Sequence, residues 1–149
     1  MPAVSERLIG TIVCPGRTKG QNAIAAPNFH ALGKIKKKIR DDAILLGRSA
    51  ISIAYHFYAE APYDWEKRKL VITSYRKSLL DDAAESLAGG ACKHIIDGLK
   101  IWATSKDRGA GVIVDDSQKW CSREYAQVQI KKCDPKGERL EIAVYEESR

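Results

Sequence analysis

The chain has 149 residues, 44% of them hydrophobic and 30% charged, a composition ordinary for a folded globular protein and too apolar for a disordered one. Twenty-five Lys and Arg against 19 Asp and Glu leave a net charge of +6, which suits contact with nucleic acid as well as a simply soluble surface. No run reaches the roughly 18 apolar residues that span a bilayer, and MPAVSERLIGTIV has no basic segment followed by an apolar one, so a single cytoplasmic domain over 1–149 with no membrane partner is expected.

Residues 7–14, RLIGTIVC, alternate well enough for a first strand. PGRTKGQNAIAAP then reads as a loop that carries Arg17 and Lys19. Asn28 is a plausible cap for a helix in NFHALGKIKKKIRDDAILLG, where Leu32, Ile35, Ile39 and Ala43 keep helical spacing. Lys34, Lys36, Lys37, Lys38 and Arg40 cover much of the remaining surface, either as a solvated face or as phosphate contacts. ISIAYHFYA, residues 51–59, alternates like a strand, and LVITSY at 70–75 is a further strand, so the two are expected to form a hairpin with a long loop.

From Leu79 to Trp102 the texture is helical, with Gly89–Gly90 bending or splitting it. GVIVDD reads as a short apolar strand ending in Asp115 and Asp116. CSREYAQVQIK at 121–131 and RLEIAVYE alternate as the last two strands, with DPKGE as the turn between them. The resulting order, β–α–β–β–α–α–β–β–β, does not alternate regularly, so the expected class is α+β: a small mixed sheet packed with two or three helices.

The four cysteines, Cys14, Cys92, Cys121 and Cys133, form no CxxC pair, and only three histidines accompany them. Neither a structural zinc site nor a disulfide framework is expected; reduced and mostly buried thiols are. His30, His56 and His94 are isolated and are not expected to act as catalytic bases, and His94 is expected to face away from Lys93.

Two acidic clusters, Asp81/Asp82/Glu85 and Asp115/Asp116, stand out in a basic chain. Hydrolysis of a phosphodiester with metal assistance uses a few carboxylates around Mg²⁺ or Mn²⁺, which polarises the phosphoryl group and helps form hydroxide. On a helix Asp81 and Glu85, or Asp82 and Glu85, share a face. Asp115 and Asp116 point to opposite sides of an extended chain, so one of them reaches a site. A lysine beside such a site, here Lys93, can hold the phosphate, and Asp97 is placed to pair with it at i,i+4. Read structurally instead, Asp81 and Asp82 complement a helix dipole, Asp115–Asp116 form a turn, and Lys93 is an exposed lysine.

Three stretches resemble the RusA-type Holliday-junction resolvases and their phage-borne relatives. KHIIDGL, Lys93 to Leu99, is similar to the family's lysine-bearing helix; GVIVDDSQKW is similar to its apolar strand ending in Asp-Asp-x-Gln; and VQIKKCDPKGERLEIAVYE is similar to its closing hairpin. Together they cover roughly the C-terminal half. The resemblance implies a homodimeric, Mg²⁺-dependent endonuclease that cuts four-way DNA junctions symmetrically, leaving a 5′-phosphate and a 3′-hydroxyl. It implies Asp116 as the second aspartate of the strand motif and Lys93 as the active-site lysine. This chain departs from the family in the first element, an Asp-x-Asp-Asn run: at the commonest spacing from Lys93 the acids would fall on Leu87 and Gly89. Asp82 and Glu85 then stand as substitutes, with Ser86 where Asn is usual.

The resemblance therefore implies catalytic Asp82, Glu85, Lys93 and Asp116, a metal held by Asp82, Glu85 and Asp116 with Asp81 or Asp115 assisting, and DNA held by Arg17, Lys19, Lys34, Lys36, Lys37, Lys38 and Arg40. The alternative is a weakened or inactive relative that binds branched DNA without cutting it. A basic α+β interaction protein with no nucleic-acid role is the third reading.

Overall fold

The computed structural model describes residues 5–16, 29–58, 66–82, 84, 87–88 and 90–148. Strand β1 (Ser5–Pro15) leads to helix α1 (Phe29–Ala50), a 3₁₀ turn (Ile53–Tyr55), β2 (Arg68–Arg76), α2 (Ala91–Leu99), β3 (Cys121–Gln129) and β4 (Arg139–Ser148). The four strands form one mixed sheet in the order β1-β4-β2-β3. β4 runs antiparallel to both β1 and β2, while β3 runs parallel to β2. The class is α+β, as the sequence suggests.

Period-two alternation explains which side of the sheet is covered. On β2, Arg68, Leu70, Ile72, Ser74 and Arg76 are buried and their neighbours are not. Ile12, Ile142 and Ile72 stand opposite one another across three strands, all essentially inaccessible, and Leu70 and Val144 form the next row. Ala43 of α1, Cys92, Ile95, Ile96 and Leu99 of α2, and Val112 and Ile113 close over this face as a single core. Each fully buried Leu or Ile contributes about 1.5–3 kcal/mol relative to exposure, so these rows dominate the stability of the sheet.

Residues 51–58, the described part of the expected strand 51–59, do not form one. Ser52 caps a 3₁₀ turn, its side chain accepting from the Ala54 N–H, and Ile53 is 73% exposed while Ile51 is buried. The alternation that reads as a strand therefore spans a core anchor and a surface turn, and no hairpin with 70–75 forms among the described residues. Arg68 holds the turn from below: its guanidinium donates to the Tyr55 carbonyl at 3.0 Å and to the Val112 carbonyl at 3.0 Å, with Phe57 stacked over it.

GVIVDD is not a strand either. The N–H groups that a sheet ladder would use are given to the end of α2: Ala110 donates to Gly98, Gly111 to Lys100, and Val112 and Ile113 both to Leu99. The segment satisfies helix-end carbonyls, which have no partner within the helix. Gly111 has φ +75°, and a Cβ there would stand 2.2 Å from the Phe57 carbonyl oxygen, so the crossing demands glycine.

The helix expected over 79–102 is shorter: of the described residues there, 84, 87, 88 and 91–99 are helical. The described part of α2 starts after Gly90, which occupies its N-cap position. Upstream, Gln127 clamps the backbone of Leu80, donating to its carbonyl and accepting from its N–H, both at 2.8 Å, as a neighbouring strand would.

The last two strands do not form a hairpin. β2 lies between them, and residues 130–138 carry the chain past its end. β2, α2 and β3 make a parallel crossover, the connection that parallel neighbours require. Alternation marked β3 and β4 correctly as strands, but alternation carries no information about which strand each one pairs with.

Candidate phosphate site at the α1–α2 crossing

The two helices approach closely at Gly98, where a Cβ would stand 2.6 Å from the Arg40 carbonyl oxygen and 3.0 Å from the Ala43 side chain. This contact brings the Arg40 turn of α1 against the C-terminal half of α2. One turn earlier on α1 is Lys36, and one turn earlier on α2 is His94. The charges of Lys36, Arg40 and Lys93 all act on the His94 ring. Burial is the largest influence holding that ring below the usual histidine range; the three cations add to it and Asp97 opposes them.

The basic face of α1 is thereby divided. Lys37 donates to Asp41 at 2.6 Å and Lys38 to Asp42 at 2.9 Å, exposed i,i+4 pairs that neutralise that side of the helix. Hydrogen bonding to the aspartates raises both lysine pKa values. Lys36 and Arg40, by contrast, are partly buried. Lys34 is exposed. Arg17 and Lys19 lie outside the described residues.

The acidic residues are placed differently from the sequence expectation. Asp81 and Asp82 are exposed in a bend, and the side chain of Glu85 lies outside the described residues. Asp115 and Asp116 sit in the loop after Ile113, partly exposed. Asp97 pairs with Lys100 at 3.3 Å rather than with Lys93 at the expected i,i+4 spacing. The same ammonium lies 4.0 Å from Asp115, so Lys100 ties the end of α2 to the Asp115–Asp116 loop. Lys93 is exposed.

Among the described residues no three His, Cys, Asp or Glu side chains come together as a metal would need. Leu87, where the resemblance would place the first acid, is 0% exposed and belongs to the core.

The histidines and cysteines are mainly structural. His56 Nε2 bonds the Ile51 carbonyl at 2.7 Å, and His30 is exposed. As expected, His94 and Lys93 face different surroundings: His94 is buried at the helix crossing and Lys93 is exposed. All four cysteines are free; Cys92 and Cys121 are buried, Cys14 partly so, and Cys133 is exposed. Burial pushes the Cys92 thiol up to about 12 and Cys14 and Cys121 to about 11, so these three are inert thiols.

A second cluster joins β1, β2 and β4. Arg7 donates to Glu146 at 2.7 Å, and Arg68 lies close by. The Glu66 and Glu146 carboxyls interact: hydrogen bonding to Glu146 raises the Glu66 pKa, while that same bond and Arg7 lower the Glu146 pKa. Its two arginines and two carboxyls balance, which marks it as a structural tie.

No family model, curated protein or solved structure gives a match to this chain. Among the described residues no helix is long and apolar enough to cross a membrane.

Proposed function

We propose that this chain is a RusA-like protein of DNA recombination that binds branched DNA, four-way junctions above all, through the phosphate backbone and without cutting it. The observation that supports this reading is the packing of α1, which carries Lys36 and Arg40, against α2, which carries Lys93. A junction is recognised by shape and backbone charge, so a cationic surface with few base-reading side chains suits it. Neutralised phosphates release counterions and supply affinity. Lys93 belongs to the KHIIDGL segment on which the family resemblance rests.

Binding is favoured over cleavage because Mg²⁺-assisted hydrolysis wants several oxygen donors around one cation, and the positions where the resemblance places two acids are Leu87 and Gly89. Leu87 in the core and Asp97 held by Lys100 point the same way.

A second reading, the Mg²⁺- or Mn²⁺-dependent endonuclease, is favoured by one relationship: Lys100 joins the lysine-bearing helix to the Asp115–Asp116 loop. In that reading Asp82, Glu85 and Asp116 would hold the metal, assisted by Asp81 or Asp115, and a homodimer would place two sites about a two-fold axis for paired cuts.

Fluorescence anisotropy of a labelled four-way junction against a duplex of the same sequence, with a cleavage assay in Mg²⁺ and in Mn²⁺, separates these readings. The expected result is preferential junction binding, steeply weakened by salt, with no product. Cleavage that disappears in Asp116→Asn establishes the second reading. Failure to bind branched or duplex DNA at low salt overturns both and leaves a protein-interaction role.

A further inference from the structure

We propose that the cavity between the end of α1, the turn after it and the loop after α2 is a nucleotide site, which takes one unpaired nucleotide of branched DNA with its phosphate on Arg48 and Arg108 and its base on Tyr58. The inference deepens the DNA-binding reading and rests on it. It narrows the substrate class: a branch point that carries an unpaired base is held in preference to one that is fully paired.

The cavity has a volume of about 360 Å³, at the lower end of the range that small-molecule sites occupy and suited to a single nucleotide. Its described lining holds two arginines, Arg48 and Arg108, and no carboxylate. Arginine is the side chain best matched to a phosphate. The acid nearest in sequence, Asp107, already accepts from the Thr104 hydroxyl at 3.2 Å. Apolar surface gathers at the same place. Ile53 and Tyr58 line the cavity and are 73% and 48% exposed, and Trp102, over which Arg108 lies at 5.1 Å, is 43% exposed. Large apolar side chains scattered singly over a surface need no explanation, but three around one cationic cavity mark a ligand surface. Cations beside exposed aromatic faces are the combination that holds single-stranded nucleic acid, with the backbone on the charges and a base on the ring.

The walls are set before a ligand arrives. His56 is fixed by the 2.7 Å bond between its Nε2 and the Ile51 carbonyl, and the Phe57 N–H donates to the Gly111 carbonyl at 2.7 Å. Arg48 donates to the Gly109 carbonyl over a longer 3.4 Å, a bond that occupies one of the five N–H groups of a guanidinium. Trp102 and Arg108 form an antiparallel backbone bridge, which holds the second guanidinium beside the indole. Arg48 lies in the last turn of α1, two turns beyond Arg40 and about 12 Å further along the axis, so the cavity stands at the end of the basic helix. A base that is already unpaired enters without the cost of leaving a duplex stack, and that difference is the source of the preference.

The test uses the full chain and a four-way junction that carries one fluorescent adenine analogue, either unpaired at the branch point or paired within an arm. Anisotropy reads the affinity, and the emission of the analogue reads its stacking. The expected result is tighter binding of the unpaired form, with a fall in emission as the base stacks on Tyr58. Tyr58→Ala should weaken binding of the unpaired form by about fivefold or more, to the level of the paired form, while Tyr58→Phe, which keeps the ring, retains the preference. Equal affinities with unchanged emission in a formed complex overturn the proposal, and so does an emission change that survives Tyr58→Ala and Arg108→Ala together. If the chain binds no DNA, the DNA reading has failed by itself, and deoxyadenosine monophosphate tests the cavity alone. Its binding is followed by NMR through the Trp102 indole resonance, assigned by its loss in Trp102→Phe. A saturable shift that is lost in Arg108→Ala sustains the nucleotide site. No shift, or one that inorganic phosphate reproduces, removes it.

Discussion

Gly98 of α2 lies against the backbone of Arg40 in α1: a Cβ at position 98 would stand 2.6 Å from the Arg40 carbonyl oxygen. Neither backbone can yield cheaply, because Ala43 is also within 3.0 Å of that Cβ. Gly98→Ala is expected to destabilise the fold by about 1–3 kcal/mol through overpacking, and to weaken DNA binding by spreading α1 from α2. Urea unfolding reads the first effect and junction anisotropy the second. An unchanged unfolding midpoint would mean that the helices do not meet there.

Arg68 is 2% exposed and spends two of its N–H groups on the carbonyls of Tyr55 and Val112. Truncation to Ala strands both acceptors and should cost about 3 kcal/mol or more. Arg68→Lys is expected to recover only part of this, since one ammonium does not span two carbonyls as the planar fork does. The urea midpoints of the two variants, measured side by side, check the order.

The Glu66–Glu146 pair predicts a pH dependence of stability. Glu66 has a raised folded pKa, through its bond to Glu146, so its contribution is complete below its unfolded value and is lost as pH rises through the folded one. Glu146 has a lowered folded pKa, so its contribution is present above its unfolded value and is lost as pH falls through the folded one. Glu66→Gln keeps a donor to Glu146 without a titratable proton. It should remove the loss of stability on the alkaline side of the carboxylate range and leave the acid-side loss in place. Thermal midpoints across pH for both proteins test this.

Each cation of the α1–α2 site that neutralises a phosphate adds about 0.9 to the slope of log affinity against log salt on duplex DNA. Lys36→Ala, Arg40→Ala and Lys93→Ala should each reduce that slope by up to this amount. Lys37→Ala should change it little, because Lys37 is already paired with Asp41 at 2.6 Å. Equal effects at Lys37 and Lys36 would count against the division of the helix face.

Metal provides a further check. A ligand that binds only the folded state raises its stability in proportion to the logarithm of its concentration over Kd. If the chain binds DNA without cutting it, millimolar Mg²⁺ is expected to leave the thermal midpoint where equal ionic strength of a monovalent salt leaves it. A Mg²⁺-specific rise abolished by Asp116→Asn would move the conclusion to the endonuclease.

Much of the framework was legible in the sequence. Alternation marked β1, β2, β3 and β4, and the spacing of Ile35, Ile39 and Ala43 marked α1, because burial on one side of an element imposes its own period on the chain. The cationic stripe and the two aspartate clusters were visible as composition. The tertiary structure decided what periodicity does not encode. ISIAYHFYA and GVIVDD have strand-like local patterns, yet Arg68 captures the Tyr55 carbonyl in the first, and the end of α2 captures the N–H groups of the second. The order of the strands depended on the crossover through α2, which placed β2 between the two strands that look like a hairpin. Whether Asp97 meets Lys93 or Lys100, and whether His94 is exposed or buried, was likewise settled by the tertiary structure. Local propensity selects an element, but partners far along the chain set its pairing and the surroundings of each charge. For that reason the sequence by itself determined that the chain is a basic α+β protein. Only the packing of α1 on α2 determined which of its charged groups stand together.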